Sequence, residues 1–268
     1  MSDLKKRIWT TLRREVQEDA NSEPILASFL YAAVLNHRSF EEALSFHLAT
    51  KLASPTIHPI TLRDVMVEAH GQDPEIALAG VTDLKAVRER DPACTRYSIP
   101  FLYFKGYQSL QVYRIAHHLW QRGRRALALE LQSRMSEVFA VDIHPAASIG
   151  KGILMDHATG VVIGETAVVE DDVSILHEVT LGGTGKETGD RHPKVRSGVL
   201  ISAGAKVFGN IEIGTGAKIG GGSVVVHPVP PHTTVAGVPA KPVGMASGPA
   251  PSKSMDQIIE DAAEKGAN

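Results

Sequence analysis

The chain has 268 residues, a formal net charge of −2 at pH 7 and 43% hydrophobic residues. This length fits one or two domains, and the balanced charge gives no basic field of the kind that attracts nucleic acid. The single cysteine, Cys94, excludes an internal disulfide and a cysteine metal cage. No apolar run approaches the roughly 18 residues of a membrane span, and the polar N-terminus does not resemble a signal peptide. We therefore expect a cytoplasmic protein with neither a nucleic-acid nor a membrane partner.

Residues 1–139 are predicted to form an all-α domain. Leu4–Ala20 carries apolar residues at helical spacing among charged ones. Further helix starts are predicted from a proline in the first turn or from a capping residue at Ser22–Pro24, Ser39–Glu42, Thr61–Asp64 and Asp73–Pro74. Tyr107–Gln121 places its large apolar side chains on one stripe, which is typical of a helix face that packs in a core.

A six-residue repeat follows the helical domain. Apolar residues recur every six positions at Ile143, Ile149, Met155, Val161, Ala167, Val173 and Val179, and again at Val195, Ile201, Val207, Ile213, Ile219 and Val225. A period of six fits neither an α-helix nor a simple alternating strand, and it predicts a parallel β-helix built from hexapeptides. Three hexapeptides make a coil of eighteen residues, so we expect Ile143, Val161 and Val179 to stack in one ladder.

The repeat also sets the predicted domain boundaries. The β-helix is expected over residues 140–241, where several prolines after Val225 end the regular coils. Residues 242–268 are rich in Gly, Ser, Pro and charge, so a flexible C-terminal tail is predicted there.

One departure from the repeat is the polar segment Gly182–Pro193. A repeat fold places such insertions on one face, which is often the binding face. Gly182, Gly183 and Gly185 offer main-chain N–H groups, and the guanidinium of Arg191 suits a carboxylate. The alternative is a solvated hairpin that merely interrupts one coil.

A second departure is the segment Met155–Gly160, where a charged pair stands beside an apolar residue. The imidazole of His157 is a candidate general base near neutral pH. Asp142 precedes it by fifteen residues, three short of a full coil, so it is placed to orient the ring. His144 and His177 stay undecided. Eight further histidines are interpreted as structural, namely His37, His47, His58, His70, His117, His118, His227 and His232.

These motifs resemble the bacterial serine O-acetyltransferases. The resemblance rests on Asp142–Pro145, Met155–Gly160, Val179–Gly185 and Gly189–Lys194, together with Arg90–Pro92 in the helical domain. It covers nearly the whole chain and implies an N-terminal all-α domain that mediates oligomerisation. It also implies a left-handed parallel β-helix that is catalytic and carries an extruded loop. The implied reaction transfers acetyl from acetyl-CoA to L-serine, the first step of L-cysteine biosynthesis.

The resemblance assigns roles to individual residues. His157 is implied as the base and Asp142 as its orienting partner. The amino group of serine is implied to contact Asp91 and Asp156, and its carboxylate Arg191 and His192. Softer matches place acetyl-CoA, a cosubstrate, against five residues: Gly183, Thr184, Ala203, Gly221 and Lys241. No metal is implied.

The family also implies an inhibitor and an assembly. L-Cysteine, which is shaped like serine, is implied to inhibit at the same site. The β-helices are implied to form trimers with active sites between neighbours, and two trimers are implied to pair through their helical domains into a homo-hexamer.

Two other functions remain open from the sequence. One is a hexapeptide-repeat acetyltransferase that acts on a sugar or nucleotide sugar, although the acidic Asp91 and Asp156 favour a zwitterionic amino acid. The other is a zinc hydratase on the same fold. Zinc needs three close ligands, for which His157, His177 and His192 are the candidates.

A final expectation concerns O-acetylserine sulfhydrylase, the partner enzyme of many bacterial relatives. Those relatives end in isoleucine, whereas this chain ends in Asn268. Asparagine lacks the branched hydrocarbon that would anchor the tail, so weak binding or none is expected.

Overall fold

The computed structural model describes residues 3–186, 188–246 and 248–259. The chain divides into two compact units, Met1–Phe139 and Ala140–Asn268. The first contains only helices and the second is built mainly of short strands. None of the helices in the described ranges is long and apolar enough to cross a membrane.

Over residues 3–139 the first unit contains eight α-helices, with a 3₁₀ turn before the second and a π-helical turn after it. The α-helices are α1 Asp3–Ser22, α2 Ala27–Leu30, α3 Phe40–Leu52, α4 Pro59–Gln72, α5 Pro74–Arg90, α6 Ser98–Tyr103, α7 Lys105–Gln121 and α8 Arg125–Phe139. The 3₁₀ turn spans Pro24–Leu26 and the π-helical turn Tyr31–Leu35. Helix α7 is buried along most of its length, which agrees with the predicted core stripe.

Local capping explains where several helices begin. Ser39 caps α3 by accepting a hydrogen bond from the Glu42 N–H at 3.2 Å, and Asp73 caps α5 in the same way. The start predicted at Thr61 is wrong, because α4 already begins at Pro59 with His58 as its cap residue. Proline fits the first helical turn because the N–H that it lacks has no partner there.

The second unit is a parallel β-helix with three faces. Face A stacks strands β1, β4, β7, β10 and β13, and face B stacks β2, β5, β8 and β11. Face C stacks β3, β6, β9, β12 and β14, with β15 added antiparallel at the end. This confirms the predicted architecture of a helical region followed by a parallel β-helix.

Each strand of the regular coils is short, with two or three residues. Their bounds are β1 Val141–Ile143, β2 Ser148–Ile149, β3 Leu154–Met155, β4 Val161–Ile163, β5 Val168–Val169, β6 Ser174–Ile175, β7 Thr180–Gly182, β8 Lys194–Val195, β9 Leu200–Ile201, β10 Lys206–Phe208, β11 Glu212–Ile213, β12 Lys218–Ile219, β13 Val224–Val225, β14 Thr233–Gly237 and β15 Ala240–Met245.

The strand register on face A contradicts the predicted stacking of Ile143 on Val161. Ile143 pairs with Ile163, twenty residues further on, and Val161 pairs with Val141. The two additional residues lie between β3 and β4, because Leu154 pairs with Ser174 whereas Val162 pairs with Thr180 at the usual interval of eighteen. The expected stack of Ile143 on Val161 is therefore wrong, and the corner that contains His157 is two residues longer than a regular one.

A second change of register locates the extruded loop. Val168 pairs with Lys194, twenty-six residues later, and the following coil returns to an interval of eighteen at Glu212. The eight additional residues therefore lie between β7 and β8, in the segment that the sequence singled out.

Residues 242–268, expected to form a flexible tail, begin within β15. Further along, helix α9 (Pro251–Ser254) lies against β9 of face C. The Ser174 hydroxyl donates to the Ser252 carbonyl at 2.8 Å, and the Lys218 ammonium donates to the Ile258 carbonyl at 2.5 Å. Residues 260–268, including Asn268, lie outside the described residues.

Candidate active site

His157 lies in the lengthened corner between β3 and β4. It has φ of 55° and Ala158 has φ of 60°, so two successive residues adopt the left-handed conformation that costs an L-residue energy. The His157 side chain is 74% exposed, and its Nε2 lies 3.9 Å from Asp156 Oδ1. The inserted corner thus turns the imidazole outward, where a substrate can reach it.

Three further corners stack beneath this one along the same edge. We call this the histidine edge, and it comprises residues 156–160, 176–179, 202–205 and 220–223. The His157 and His177 rings are 5.7 Å apart in an edge-to-face arrangement. Main-chain bonds continue the stack, because Gly204 N–H donates to the His177 carbonyl at 2.9 Å and Gly222 N–H to the Ala203 carbonyl at 2.8 Å.

The histidine edge therefore aligns the expected base with two residues expected to bind acetyl-CoA. His157, Ala203 and Gly221 occupy coils one, three and four, which spans roughly 14 Å at the spacing of stacked strands. A Cβ added at Gly221 would lie 3.3 Å from the Ala203 carbonyl oxygen, which is a tight contact. Glycine at this position leaves the main chain open along the edge.

Asp142 lies on face A, next to the histidine edge. Its neighbours Val141 and Ile143 are fully buried, so alternation along β1 places the Asp142 side chain on the outer surface. It pairs in register with Val162, five residues after His157. The Asp142 carboxylate thus lies on the same side of the β-helix as the imidazole of His157.

The extruded loop leaves from the opposite edge of face A. We call this the loop edge, and among the described residues it comprises 144–147, 164–167, 183–186, 188–193 and 209–211. Arg191 donates through Nη2 to Glu165 Oε2 at 2.7 Å and through Nη1 to the Gly189 carbonyl at 3.0 Å. The hydrogen bond from Arg191 holds the pKa of Glu165 below its ordinary value. Glu165 had no predicted role.

His192 is buried against the same turn. Its Nδ1 lies 2.8 Å from the Thr166 hydroxyl and accepts a hydrogen bond from the Thr166 N–H at 3.2 Å. Desolvation and the neighbouring Arg191 charge lower the pKa of His192. The ring is therefore neutral at pH 7, next to a permanent cation. Thr166, like Glu165, was missed by the sequence analysis.

The remaining expected acetyl-CoA residues lie on the loop edge and in the last coil. A Cβ added at Gly183 would lie 3.3 Å from the Arg191 side chain, and one added at Gly209 would lie 3.3 Å from the Thr184 methyl group. Gly183 and Thr184 thus belong to the loop edge. Lys241 lies in β15 opposite Ala236, in the last coil.

The two edges are separated by the width of face A. A strand of three residues spans roughly 10 Å, so within one chain His157 and the pair Arg191 and His192 lie on different sides of that face. Asp91 belongs to the helical unit, where it follows α5 and its carboxylate accepts a hydrogen bond from the Ala93 N–H at 2.8 Å.

The geometry does not favour the zinc interpretation. His157 and His177 stack on the histidine edge, whereas His192 lies on the loop edge with its Nδ1 engaged by Thr166. Across residues 3–186, 188–246 and 248–259, no group of three or more His, Cys, Asp or Glu side chains is arranged to hold a metal ion.

Comparison with known proteins places these features in a family. The model for the N-terminal domain of serine acetyltransferases matches residues 8–112. A serine acetyltransferase of Salmonella typhimurium is 59% identical over 250 residues, which cover 93% of this chain and 92% of that protein. The crystal structure of a Vibrio cholerae serine acetyltransferase superposes with a TM-score of 0.94 at 56% identity, covering 95% of this chain and 99% of that one.

Some of the similar solved structures contain ligands. A serine acetyltransferase in complex with cysteine has a TM-score of 0.94 at 52% identity and covers 96% of this chain and 100% of that one. A soybean serine acetyltransferase complexed with serine has a TM-score of 0.89 at 57% identity, with 91% and 100% coverage. A Brucella abortus serine acetyltransferase in complex with coenzyme A has a TM-score of 0.89 at 49% identity, with 92% and 99% coverage.

The fold and the site are those of an acyltransferase of the hexapeptide-repeat class. They combine a helical unit with a hexapeptide-repeat β-helix that carries an extruded loop and an exposed corner histidine. Within that class, identity above 50% over nearly the full length of both chains shows that this chain belongs to the serine acetyltransferase family. The family resemblance inferred from the motifs is thereby confirmed.

Proposed function

We propose that this enzyme transfers the acetyl group of acetyl-CoA to the hydroxyl of L-serine, giving O-acetyl-L-serine and CoA for L-cysteine biosynthesis. The observation that carries the proposal is the histidine edge. There an exposed imidazole at His157 stands at the head of a stack that continues through Ala203 to Gly221. Such an edge can lay an extended thioester along the main chain with its carbonyl carbon near the base.

The chemical step needs one base and one pre-aligned nucleophile. His157 accepts the proton of the serine hydroxyl as the oxygen attacks the thioester carbon. The tetrahedral intermediate then collapses, the C–S bond breaks, and the imidazolium returns the proton to the CoA thiolate. Asp142, on the adjacent outer surface of face A, orients the imidazole and stabilises its charged form.

Charge complementarity supports the assignment of the amino-acid site. Serine is a zwitterion, so its recognition requires both an anionic and a cationic group. Arg191 and His192 supply donors for the carboxylate, and Asp91 and Asp156 supply carboxylates for the ammonium group. A neutral sugar has no charged groups to complement these side chains, which favours the amino acid over the sugar alternative. The serine complex of the soybean relative supports this assignment.

Acetyl-CoA is proposed to lie along the histidine edge. Ala203 and Gly221 offer main-chain groups there, and Gly183 and Thr184 line the loop edge, which a neighbouring chain of the proposed trimer presents to the histidine edge. Lys241 lies in the last coil, where an ammonium group suits a phosphate. The coenzyme A complex of the Brucella relative supports this cosubstrate. L-Cysteine, which has the same zwitterionic groups as serine, is proposed to inhibit at the serine site, as the cysteine complex of another relative supports.

A direct assay tests the function. We expect thiol release from acetyl-CoA that depends on L-serine and is not supported by sugars or nucleotide sugars. Release that requires a sugar, or release unaffected by serine, would reject the serine assignment. Metal analysis of the active enzyme tests the zinc alternative in the same preparation.

The separation of the two edges supports an assembled enzyme. Within one chain, the base and the carboxylate-binding loop lie across face A from each other. The β-helix of a neighbouring chain would complete the site if its loop edge faced the histidine edge of the first chain. A trimer supplies three such junctions, and pairing of trimers through the helical domains gives the proposed homo-hexamer. The cytoplasmic location stays a prediction.

Sedimentation of the full-length protein tests this assembly. We expect a mass of six chains of 28.8 kDa each, because a closed ring of three chains has a shared site at every junction and the helical domains pair two such rings. A mass equal to one chain, in a preparation with full serine-dependent activity, would show that a single chain holds the complete site.

Replacing Arg191 with alanine tests the carboxylate assignment. We expect KM for serine to rise by about 10- to 100-fold, because a charge-assisted hydrogen bond to the substrate is lost. KM for acetyl-CoA should change little. Arg196→Ala is the matched control, because Arg196 is also ion-paired, with Glu170 and Glu212 beside face B. An unchanged KM for serine in the Arg191 variant would remove this residue from the site.

A further inference from the structure

The turn at residues 164–167 lies directly beneath the extruded loop on the loop edge. It connects β4 to β5, and in the next coil the loop occupies the equivalent position between β7 and β8. We call residues 164–167 the anchoring turn. Two hydrogen bonds join this turn to the C-terminal end of the loop. Val168 N–H donates to the Pro193 carbonyl at 3.0 Å, and the Lys194 ammonium donates to the Thr166 carbonyl at 2.8 Å.

The Thr166 hydroxyl organises the residues above it. Its oxygen accepts the main-chain N–H of Arg191 at 3.0 Å and that of His192 at 3.1 Å. Both interactions use the hydroxyl as an acceptor, so its one proton is left to donate, and both His192 Nδ1 at 2.8 Å and the Asp190 carboxylate are its acceptors. The Thr166 main-chain N–H approaches the same nitrogen at 3.2 Å.

This arrangement fixes the tautomer of His192. Because His192 Nδ1 accepts the Thr166 main-chain N–H, it is the unprotonated nitrogen, and in the neutral imidazole the proton lies on Nε2. Burial and the Arg191 charge keep the ring neutral, as the lowered pKa of His192 indicates. In this tautomer the neutral His192 ring has a single N–H donor, at Nε2.

Gly164 makes the ring position possible. A Cβ added at Gly164 would lie 2.0 Å from His192 Nε2 and 2.1 Å from its Cδ2, so no other residue type leaves room for the imidazole there. The His192 ring thus packs directly on the main chain of the anchoring turn. Its orientation is fixed by this contact with Gly164 and by the hydrogen bond that Nδ1 accepts from Thr166.

Glu165 acts on the neighbouring guanidinium. Its carboxylate accepts from Arg191 Nη2 at 2.7 Å, while Nη1 donates to the Gly189 carbonyl. A guanidinium has five N–H donors, so these two contacts orient the group and leave further donors for a substrate. The Glu165 side chain is 40% exposed, so it lies at the open side of the loop edge.

We propose that Thr166 is a positioning residue for serine binding, which holds His192 in its Nε2–H tautomer and sets the main chain of Arg191, and that Glu165 orients the Arg191 guanidinium. The proposal rests on the proposed function, because the carboxylate roles of Arg191 and His192 belong to it. The anchoring turn itself touches the loop, so it acts on the substrate through these two residues.

Threonine-to-valine substitution isolates the hydroxyl with little change in shape. We expect Thr166→Val to raise KM for serine by about 10-fold and to leave KM for acetyl-CoA nearly unchanged, because only the orientation of the carboxylate donors is lost. Thr166→Ser keeps the hydroxyl and should restore KM for serine. Thr82→Val, which removes a hydroxyl bonded to the Leu78 carbonyl in α5, is the matched control and should have wild-type kinetics.

A double-mutant cycle shows whether Thr166 acts through His192. In a His192→Ala background, Thr166→Val should raise KM for serine by clearly less than it does in the wild type, because coupled residues give non-additive effects. Fully additive effects, or equal KM values for Thr166→Val and wild type, would overturn the proposal.

A second variant keeps the proposal testable should Thr166→Val fail to fold. Glu165→Gln removes the counter-charge of Arg191 at a partly exposed position and should also raise KM for serine selectively. Glu212→Gln, which breaks a comparable ion pair with Arg196, should leave it unchanged. An unchanged KM in Glu165→Gln would reject the role of Glu165. If the wild type shows no serine-dependent thiol release, the proposed function fails; if it does and these variants match it, only the positioning proposal fails.

Discussion

Replacement of His157 is expected to lower kcat by about 10²–10⁴-fold, because general base catalysis contributes an effect of that size. Two variants separate chemistry from backbone strain. His157 has φ of 55°, a conformation that asparagine tolerates better than alanine. His157→Asn should therefore retain the corner and lose the base, whereas His157→Ala loses both the base and some local stability. Steady-state kinetics with serine and acetyl-CoA measure the effect.

The control for this experiment is another exposed histidine of the same unit. His227→Ala should keep wild-type kcat, because His227 is exposed and lies in the last regular coil, away from the corner that contains His157. A fall in kcat of less than about 10-fold in both His157 variants would show that another group removes the serine proton.

Replacement of Asp83 is expected to have the largest effect on stability. The Asp83 side chain is fully buried and accepts hydrogen bonds from Arg114 Nε at 2.9 Å, Arg114 Nη2 at 2.7 Å and Gln111 Nε2 at 3.1 Å. Asp83→Ala leaves the guanidinium buried without its main carboxylate partner. We expect the free energy of unfolding of the helical unit to fall by about 3–5 kcal/mol.

Tryptophan fluorescence during urea unfolding measures this loss. The two tryptophans of the chain, Trp9 and Trp120, both lie in the helical unit, so their signal reports on that unit. Asp64→Ala is the matched control, since the Asp64–Arg63 pair is exposed and should contribute less than about 1 kcal/mol. Equal unfolding midpoints for the two variants would show that the buried pair contributes no more than a surface pair.

The hexapeptide repeat revealed the fold but concealed an irregularity within it. The first and third residues of β1 and β4 all face inward, so Val141, Ile143, Val161 and Ile163 are buried alike. A step of six that crosses the two inserted residues near His157 therefore still lands on an apolar residue. Periodicity alone assigned Val161 to the wrong ladder, and hydrogen-bond register was needed to correct it.

The candidate site shows a similar division. His157, Arg191 and His192 were found because each interrupts an apolar repeat with a group suited to proton transfer or to binding an anion. Glu165 and Thr166 were missed, because each resembles an ordinary polar corner residue in the sequence. Their partners lie 25 or 26 residues further along the chain, and only the eight-residue extension of one coil brings them into contact.

The sequence by itself determined the order of the two domains, the β-helix, the position of the loop and the family. These features follow from local periodicity and from motifs whose members are close in the chain. The tertiary structure decided which corners share an edge. It placed His157 with His177, Ala203 and Gly221, and it placed Arg191 and His192 across face A. That assignment depends on the number of residues in each coil, because one inserted pair or one extruded loop shifts every later contact without altering the apolar repeat.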